Sequence, residues 1–251
     1  MIPIVSDSRR LALVALVLQL MVVSACGQSI RAKGGTATQP AAREGPALQL
    51  HERFLKQAQE GNIDLLFLGD SITQGWNNNE VWQRYYAPRH AANFGIGGDR
   101  TQHVLWRLDH GEVDGIKPKV VVLLIGTNNI GHGVNTVDET IIGIEAVVET
   151  LRAKLPDSKI LLLGVFPRAA SREKDATEAA PDPRTFEINK RIAKLDDGKM
   201  VKFLDISQHF LNEEGKIPKE LMPDFLHLSS KGYRIWAEAM EPTLWEMMEG
   251  T

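Results

Sequence analysis

The chain has 251 residues, 43% of them hydrophobic and 24% charged, a composition that fits one globular domain with its own core. Its formal net charge is −3 and no long basic run occurs, which argues against nucleic acid as the main partner, because phosphate binding needs concentrated Lys and Arg. Cys26 is the only cysteine, so an intramolecular disulfide is excluded.

The N-terminus differs in kind from the rest. Arg9 and Arg10 precede an apolar run from Leu11 to Val23, and small residues follow at Ser24 and Ala25. A basic start, a short apolar stretch and a small-residue exit describe an export signal. The run is too short to cross a bilayer core of ~30 Å comfortably as a permanent helix. Its ending, Val23-Ser24-Ala25-Cys26, resembles the bacterial lipoprotein signal, in which the cysteine is lipidated and becomes the first mature residue. An ordinary cleaved signal with an incidental cysteine is the alternative. Residues 1–25 are thus expected to be the signal and Cys26 the lipidation site. The protein is then expected in the cell envelope, in the periplasm or held to a membrane through a lipid anchor alone. Loss of 1–25 removes two arginines and one aspartate, leaving a net charge of −4. Residues 26–46 are rich in Gly, Ala, Thr, Gln and Pro and read as a flexible tether, with the folded domain over 47–251.

Five short apolar runs follow: Ile63–Leu68, Ala91–Phe94, Val120–Ile125, Ile160–Val165 and Val201–Leu204. The first, third and fourth are nearly continuous Val, Ile and Leu, the pattern of strands buried on both faces, as in parallel sheets covered by helices. Helical spacing appears between them, with Ile141, Ile144, Val148 and Leu151 in Asp138–Leu155, and again over Thr185–Leu195. A last helix is expected from about Ser230 to Met248, capped by Ser229 or Ser230. This alternation predicts an α/β fold, a three-layer α/β/α sandwich with right-handed crossovers. Pro167–Pro183 reads as a long irregular segment, either a rim of the site or a solvated loop.

Sites in open α/β sheets form at the carboxyl ends of the strands. There the chain carries Gly69-Asp70-Ser71-Ile72-Thr73, Asn93-Phe94-Gly95-Ile96-Gly97-Gly98-Asp99 and Gly126-Thr127-Asn128-Asn129, and Asp224-Phe225-Leu226-His227 follows the last strand. A serine just past a strand, at the start of a helix, faces the positive end of the helix dipole. Its hydroxyl becomes a nucleophile once a base takes the proton. Asp224 and His227, three apart on one turn, can pair so that the acid fixes the imidazole tautomer while Nε2 faces Ser71. Each motif taken alone is common: Gly-Asp-Ser often only caps a helix, and Asp-x-x-His often only marks a turn. Asp70 and Asn93 are expected behind the nucleophile, bracing neighbouring turns.

The four blocks in this order resemble the SGNH (GDSL-type) hydrolase superfamily. The stretch from Asn93 through Arg107-Leu108 closely resembles the catalytic subunits of platelet-activating-factor acetylhydrolase IB. The likeness spans about Leu50 to Met248. It implies a flavodoxin-like sandwich around five parallel strands, with Ser71, Asp224 and His227 as the catalytic triad. It also implies an oxyanion hole made of the Ser71 and Gly98 backbone N–H groups and the Asn128 side-chain amide. No cofactor and no metal is implied. The same resemblance hints at a homodimer, for which the surface pattern gives no sign.

Other readings fit less well. Gly95-x-Gly97-Gly98 lacks dinucleotide-binding spacing. His103 and His110, seven apart, make a poor zinc pair. Trp82, Trp106 and Trp236 are expected in the core. A binding module that keeps the fold without catalysis would be expected to lack a triad or oxyanion residue, and every such position is filled. The expectation is an exported serine esterase that removes short acyl groups, acetyl foremost, from a carbohydrate or phospholipid ester. Thioesterase or lysophospholipase activity on the same fold is the alternative.

Overall fold

The computed structural model describes residues 33–131, 133–170 and 175–249, so the expected export signal and Cys26 lie outside the described residues. The strands are β1 (Leu65–Gly69), β2 (Ala91–Gly95), β3 (Val120–Leu124), β4 (Lys159–Leu163), β5 (Glu178–Ala179), β6 (Val201–Leu204) and β7 (Ile217–Pro218). Five of them form one sheet in the order β2-β1-β3-β4-β6, and every pairing in it is parallel. β5 and β7 make a small antiparallel ribbon.

The helices are α1 (Pro46–Glu60), α2 (Ser71–Gln74), α3 (Glu80–Tyr85), α4 (Thr101–Asp109), α5 (Thr127–Gly131), α6 (Val137–Lys154), α7 (Pro183–Ile192) and α8 (Ser230–Glu249). Alternation along the strands divides the apolar side chains between two cores. Leu66, Leu68, Val121 and Leu123 pack under α1, α4, α6 and α7, in contact with Phe54, Leu105, Ile144 and Ile188. Leu65, Phe67, Val120 and Val122 face α3 and α8 on the other side. That second core holds the buried aromatics Trp76, Trp82, Tyr86 and Trp236 around Phe67. The molecule is the expected three-layer sandwich. Trp106 departs from expectation: it is only half-buried and stacks on His110 at 3.9 Å.

β1 lies between β2 and β3, so the chain leaves it toward opposite edges of the sheet in its successive crossovers. Such a switch point opens a crevice at the carboxyl ends of the strands. The turns after β1, β2 and β3 border it.

One segment differs from a reading by composition. Residues 33–46 were expected within the tether, yet Ala37 and Thr38 are buried. Thr101 Oγ1 donates to the Ala37 carbonyl at 2.7 Å, and the Ala41 N–H donates to the Gln102 carbonyl at 3.1 Å. Small residues here permit close approach: a Cβ on Gly143 of α6 would meet the Ala37 Cβ at 3.0 Å. Composition reads smallness as flexibility, whereas packing uses it for contact. The described part of 167–183 lies against the site. Ala169 bridges Pro181, and its N–H donates to the Phe225 carbonyl at 2.9 Å.

Candidate active site

β1 ends in Gly69 and delivers Asp70 and Ser71 to the crevice. Asp70 caps α2, its Oδ1 accepting the Ile72 N–H at 3.0 Å. Ser71 is the first residue of that helix, so its own N–H has no intrahelical acceptor. Behind it, Tyr233 Oη of α8 donates to the Ile72 carbonyl at 2.7 Å.

The turn before α8 supplies an acid and a base. Asp224 Oδ1 accepts the backbone N–H groups of Leu226 and His227 at 3.1 and 2.7 Å. Phe225 between them takes a left-handed φ of 59°, uncommon for a bulky residue, and its burial against the second core offsets that cost. The turn folds the imidazole back, placing His227 Nδ1 2.8 Å from Asp224 Oδ2 and Nε2 2.9 Å from Ser71 Oγ. Burial raises the Asp224 carboxyl, but hydrogen bonds from the His227 backbone and ring, the imidazole charge and the Leu226 N–H outweigh it, and its pKa is lowered. An ionised carboxylate only accepts, so Nδ1 carries the proton and Nε2 is left to accept from the Ser71 hydroxyl. The side chains of His227 and Asp224 are 45% and 42% exposed, which leaves the imidazole within reach of an incoming substrate.

The turn after β2 lies beside the nucleophile. Gly98 has a φ of 79°, a region glycine enters without penalty. The Gly97 N–H donates to Gln74 Oε1 at 2.8 Å, tying this turn to α2. Asn128, first seen after β3 in the sequence, is buried in α5, and its Nδ2 donates to the Asp99 carbonyl at 2.9 Å. A carboxamide has two N–H donors, so this bond fixes its direction and leaves the second for a ligand. The expected oxyanion donors thus stand on turns that touch one another.

Asp70 and Asn93, expected behind the nucleophile, are both buried and bond to the turns around it. Asn93 Nδ2 donates to the Thr73 carbonyl at 3.0 Å and to Asn77 Oδ1 at 2.8 Å, while its Oδ1 accepts the Gly95 N–H at 3.0 Å. Burial pushes the Asp70 carboxyl from 3.8 up to about 7. His103, considered above as half of a metal pair, accepts the Arg100 N–H on Nδ1 at 3.0 Å at the start of α4. His110 is exposed and pairs with the Trp106 carbonyl at 2.7 Å.

With this geometry in view, comparison with known proteins is direct. The profile of the GDSL-like Lipase/Acylhydrolase family matches residues 67–235. The chain belongs to this family. It is 34% identical to human platelet-activating factor acetylhydrolase IB subunit alpha1 over 226 residues, covering 88% of this chain and 93% of the human protein. Against subunit alpha2 of Rattus norvegicus it is 38% identical over 206 residues, 80% of this chain and 84% of the rat protein. Among solved structures, a GDSL-like lipase from Bacteroides thetaiotaomicron superposes with a TM-score of 0.62 at 21% identity, over 78% of this chain and 97% of that one. The last likeness is one of fold. Family membership makes the chain an acylhydrolase, an enzyme of the esterase type.

Sequence reasoning missed several residues that hold the site. Arg107 of α4 is buried: Nη1 donates to the Phe94 carbonyl at 3.1 Å and Nη2 to the Gly69 carbonyl at 3.4 Å. It thereby bridges the ends of β1 and β2. Burial disfavours its charge, but Glu112 and Asp99 more than compensate, and the guanidinium holds its proton more tightly than usual. Arg168 Nη1 donates to the Thr127 carbonyl at 2.9 Å from the segment whose role was left open. Nothing local in the sequence pointed to the burial of Arg107, or to Arg168.

Proposed function

We propose that this acylhydrolase is an exported serine esterase that removes short acyl groups, acetyl foremost, from oxygen esters of a carbohydrate or a phospholipid. The observation that carries the reading is the unbroken hydrogen-bonded series from Asp224 through His227 to Ser71.

In the proposed cycle the Ser71 oxygen attacks the ester carbonyl while its proton passes to His227 Nε2. The carbonyl oxygen becomes an oxyanion, met by the N–H groups of Ser71 and Gly98 and the free N–H of Asn128. Asp224 stabilises the imidazolium. Collapse breaks the bond to the alcohol oxygen, which takes the proton from His227 and leaves acyl-Ser71. Water then gives its proton to His227 and attacks the acyl carbon, releasing the acid and restoring the Ser71 hydroxyl.

The platelet-activating factor acetylhydrolase relatives favour an acetyl group, and the N-terminal sequence favours an envelope substrate. The test is a hydrolysis panel of acyl chains of increasing length on p-nitrophenol, together with acetylated sugars and an acetylated phospholipid, each run beside Ser71→Ala. The expected result is a preference for acetyl that Ser71→Ala abolishes. Normal turnover by Ser71→Ala would overturn the nucleophile, and a preference for long chains or thioesters would overturn the substrate class. For the anchor, Cys26→Ser should release the protein from membranes, and unchanged retention would refute lipidation.

A further inference from the structure

The peptide unit joining Gly97 to Gly98 carries one of the proposed oxyanion donors, the Gly98 N–H. In a trans peptide the carbonyl of one residue and the N–H of the next lie in one plane and point in opposite directions. Whatever grips the Gly97 carbonyl therefore aims the Gly98 N–H. The grip comes from the segment that composition assigned to a tether: Arg43 Nη1 donates to the Gly97 carbonyl at 2.5 Å.

The same guanidinium nitrogen stands 3.0 Å from Asp99 Oδ1. Asp99 is buried, and Arg107 Nε pairs with its other oxygen at 2.9 Å. The Asp99 backbone carbonyl accepts from Asn128. Arg43 thus bears on two of the three proposed donors, Gly98 directly and Asn128 through Asp99. Two adjacent glycines have more backbone freedom than any other pair, so the direction of this N–H needs contacts from outside the turn. A cation on the carbonyl also polarises the peptide and strengthens its N–H as a donor.

We infer that Arg43 is a positioning residue for acyl transfer, holding the Gly97–Gly98 peptide so that its N–H meets the oxyanion, and that residues 33–46, which carry it, are part of the folded domain. This inference rests on the proposed oxyanion role of Gly98. Arg43 touches no reacting atom: it acts through the peptide it holds.

The test uses the full chain with Arg43→Ala, Arg43→Lys and Ser71→Ala, assayed on p-nitrophenyl acetate with thermal melts alongside. The Arg43 side chain is one-third exposed and belongs to neither core, and the buried Asp99 keeps Arg107 as a partner when Arg43 is truncated. Arg43→Ala should lower kcat by about 10- to 100-fold with KM changed less than about threefold, the signature of an interaction made in the transition state. Its melting midpoint should stay near that of the parent. Millimolar ethylguanidinium should restore part of the lost kcat. Arg43→Lys should fall between the two, because an ammonium lacks the guanidinium fork.

If Arg43→Ala keeps its kcat while Ser71→Ala is inactive, the inference falls and the esterase reading stands. If Ser71→Ala itself stays active, that reading fails first. A rise in KM alone would make Arg43 a substrate contact and overturn the positioning role. A loss of kcat that follows a lowered melting midpoint, with no rescue by ethylguanidinium or lysine, would assign Arg43 to the fold only and overturn it as well.

Discussion

Tyr233 Oη donates to the carbonyl of Ile72, the residue after the proposed nucleophile, across 2.7 Å. Burial, with the nearby Asp70 charge, pushes the phenol pKa up, so it remains a donor at any working pH. This one bond ties α8, which follows the acid–base turn, to α2, which carries Ser71. Nothing else about Tyr233 requires a hydroxyl, since its ring packs at 4.6 Å against Trp76. Tyr233→Phe should keep the ring and lose the tie, leaving a buried carbonyl with one partner fewer. The expected cost is about 1–2 kcal/mol, or a melting midpoint lowered by several degrees, with a several-fold fall in kcat as Ser71 drifts from His227. A melting curve and a steady-state assay check it. Unchanged kcat would show that the Ser71–His227 geometry does not depend on this tie.

Asn128→Ala removes both the contact to Asp99 and a proposed oxyanion donor. The expected loss is on the order of 10²–10³ in kcat, the range for removing one such donor. KM should move little. If instead KM rises and kcat holds, Asn128 binds the ground state only.

Gly95 lies where α2 crosses the end of β2. A Cβ there would meet the Gln74 nitrogen at 2.3 Å and the Thr73 carbonyl carbon at 2.7 Å, both of them backbone. Gly95→Ala must therefore push α2 aside, and with it Ser71. Overpacking of this kind costs about 1–3 kcal/mol. Esterase activity is expected to fall together with the melting midpoint. A less stable variant with full activity would show that α2 can shift without carrying the nucleophile off line.

The buried Asp70 carboxyl imposes a dependence of stability on pH. Its pKa in the folded state is about 7, against an ordinary 3.8, because burial disfavours the charged form. The folded protein thus binds this proton more tightly than the unfolded chain. Its contribution is complete below about pH 4 and is lost as pH rises through about 7, amounting to at most about 4 kcal/mol. Asp70→Asn keeps an acceptor for the Ile72 N–H and cannot ionise. Its melting midpoint should therefore gain on that of the parent as pH is raised from 4 to 8. His103 works in the opposite sense: burial and its arginine neighbours lower it to about 4, so stability from that group rises with pH. That slope is common to both proteins and cancels in the difference. A constant gap between the two melting curves would show that Asp70 is not the titrating group.

Much of the fold and of the proposed chemistry was legible before any coordinate was known. β1, β3 and β4 showed as near-continuous Val, Ile and Leu, α8 as a helix expected after a serine cap, and Ser71, Asn128 and the Asp224–His227 turn as polar residues just beyond strand ends. All of these are local signals. A strand buried on both faces must be apolar throughout, and a turn that folds an imidazole onto its own carboxylate needs its two residues three apart. Resemblance then added which backbone groups would meet an oxyanion.

The contacts that hold those groups came only from the folded chain. Arg43 reaches Gly97 across 54 positions, and Arg107 reaches Gly69 across 38. In sequence both are ordinary basic residues, one of them inside a stretch whose small side chains read as flexible. The physical reason is one of range. Periodicity and turn chemistry are set by neighbours along the chain and leave a written pattern, whereas the energy of a buried guanidinium depends on which carbonyls and carboxylates tertiary packing brings around it.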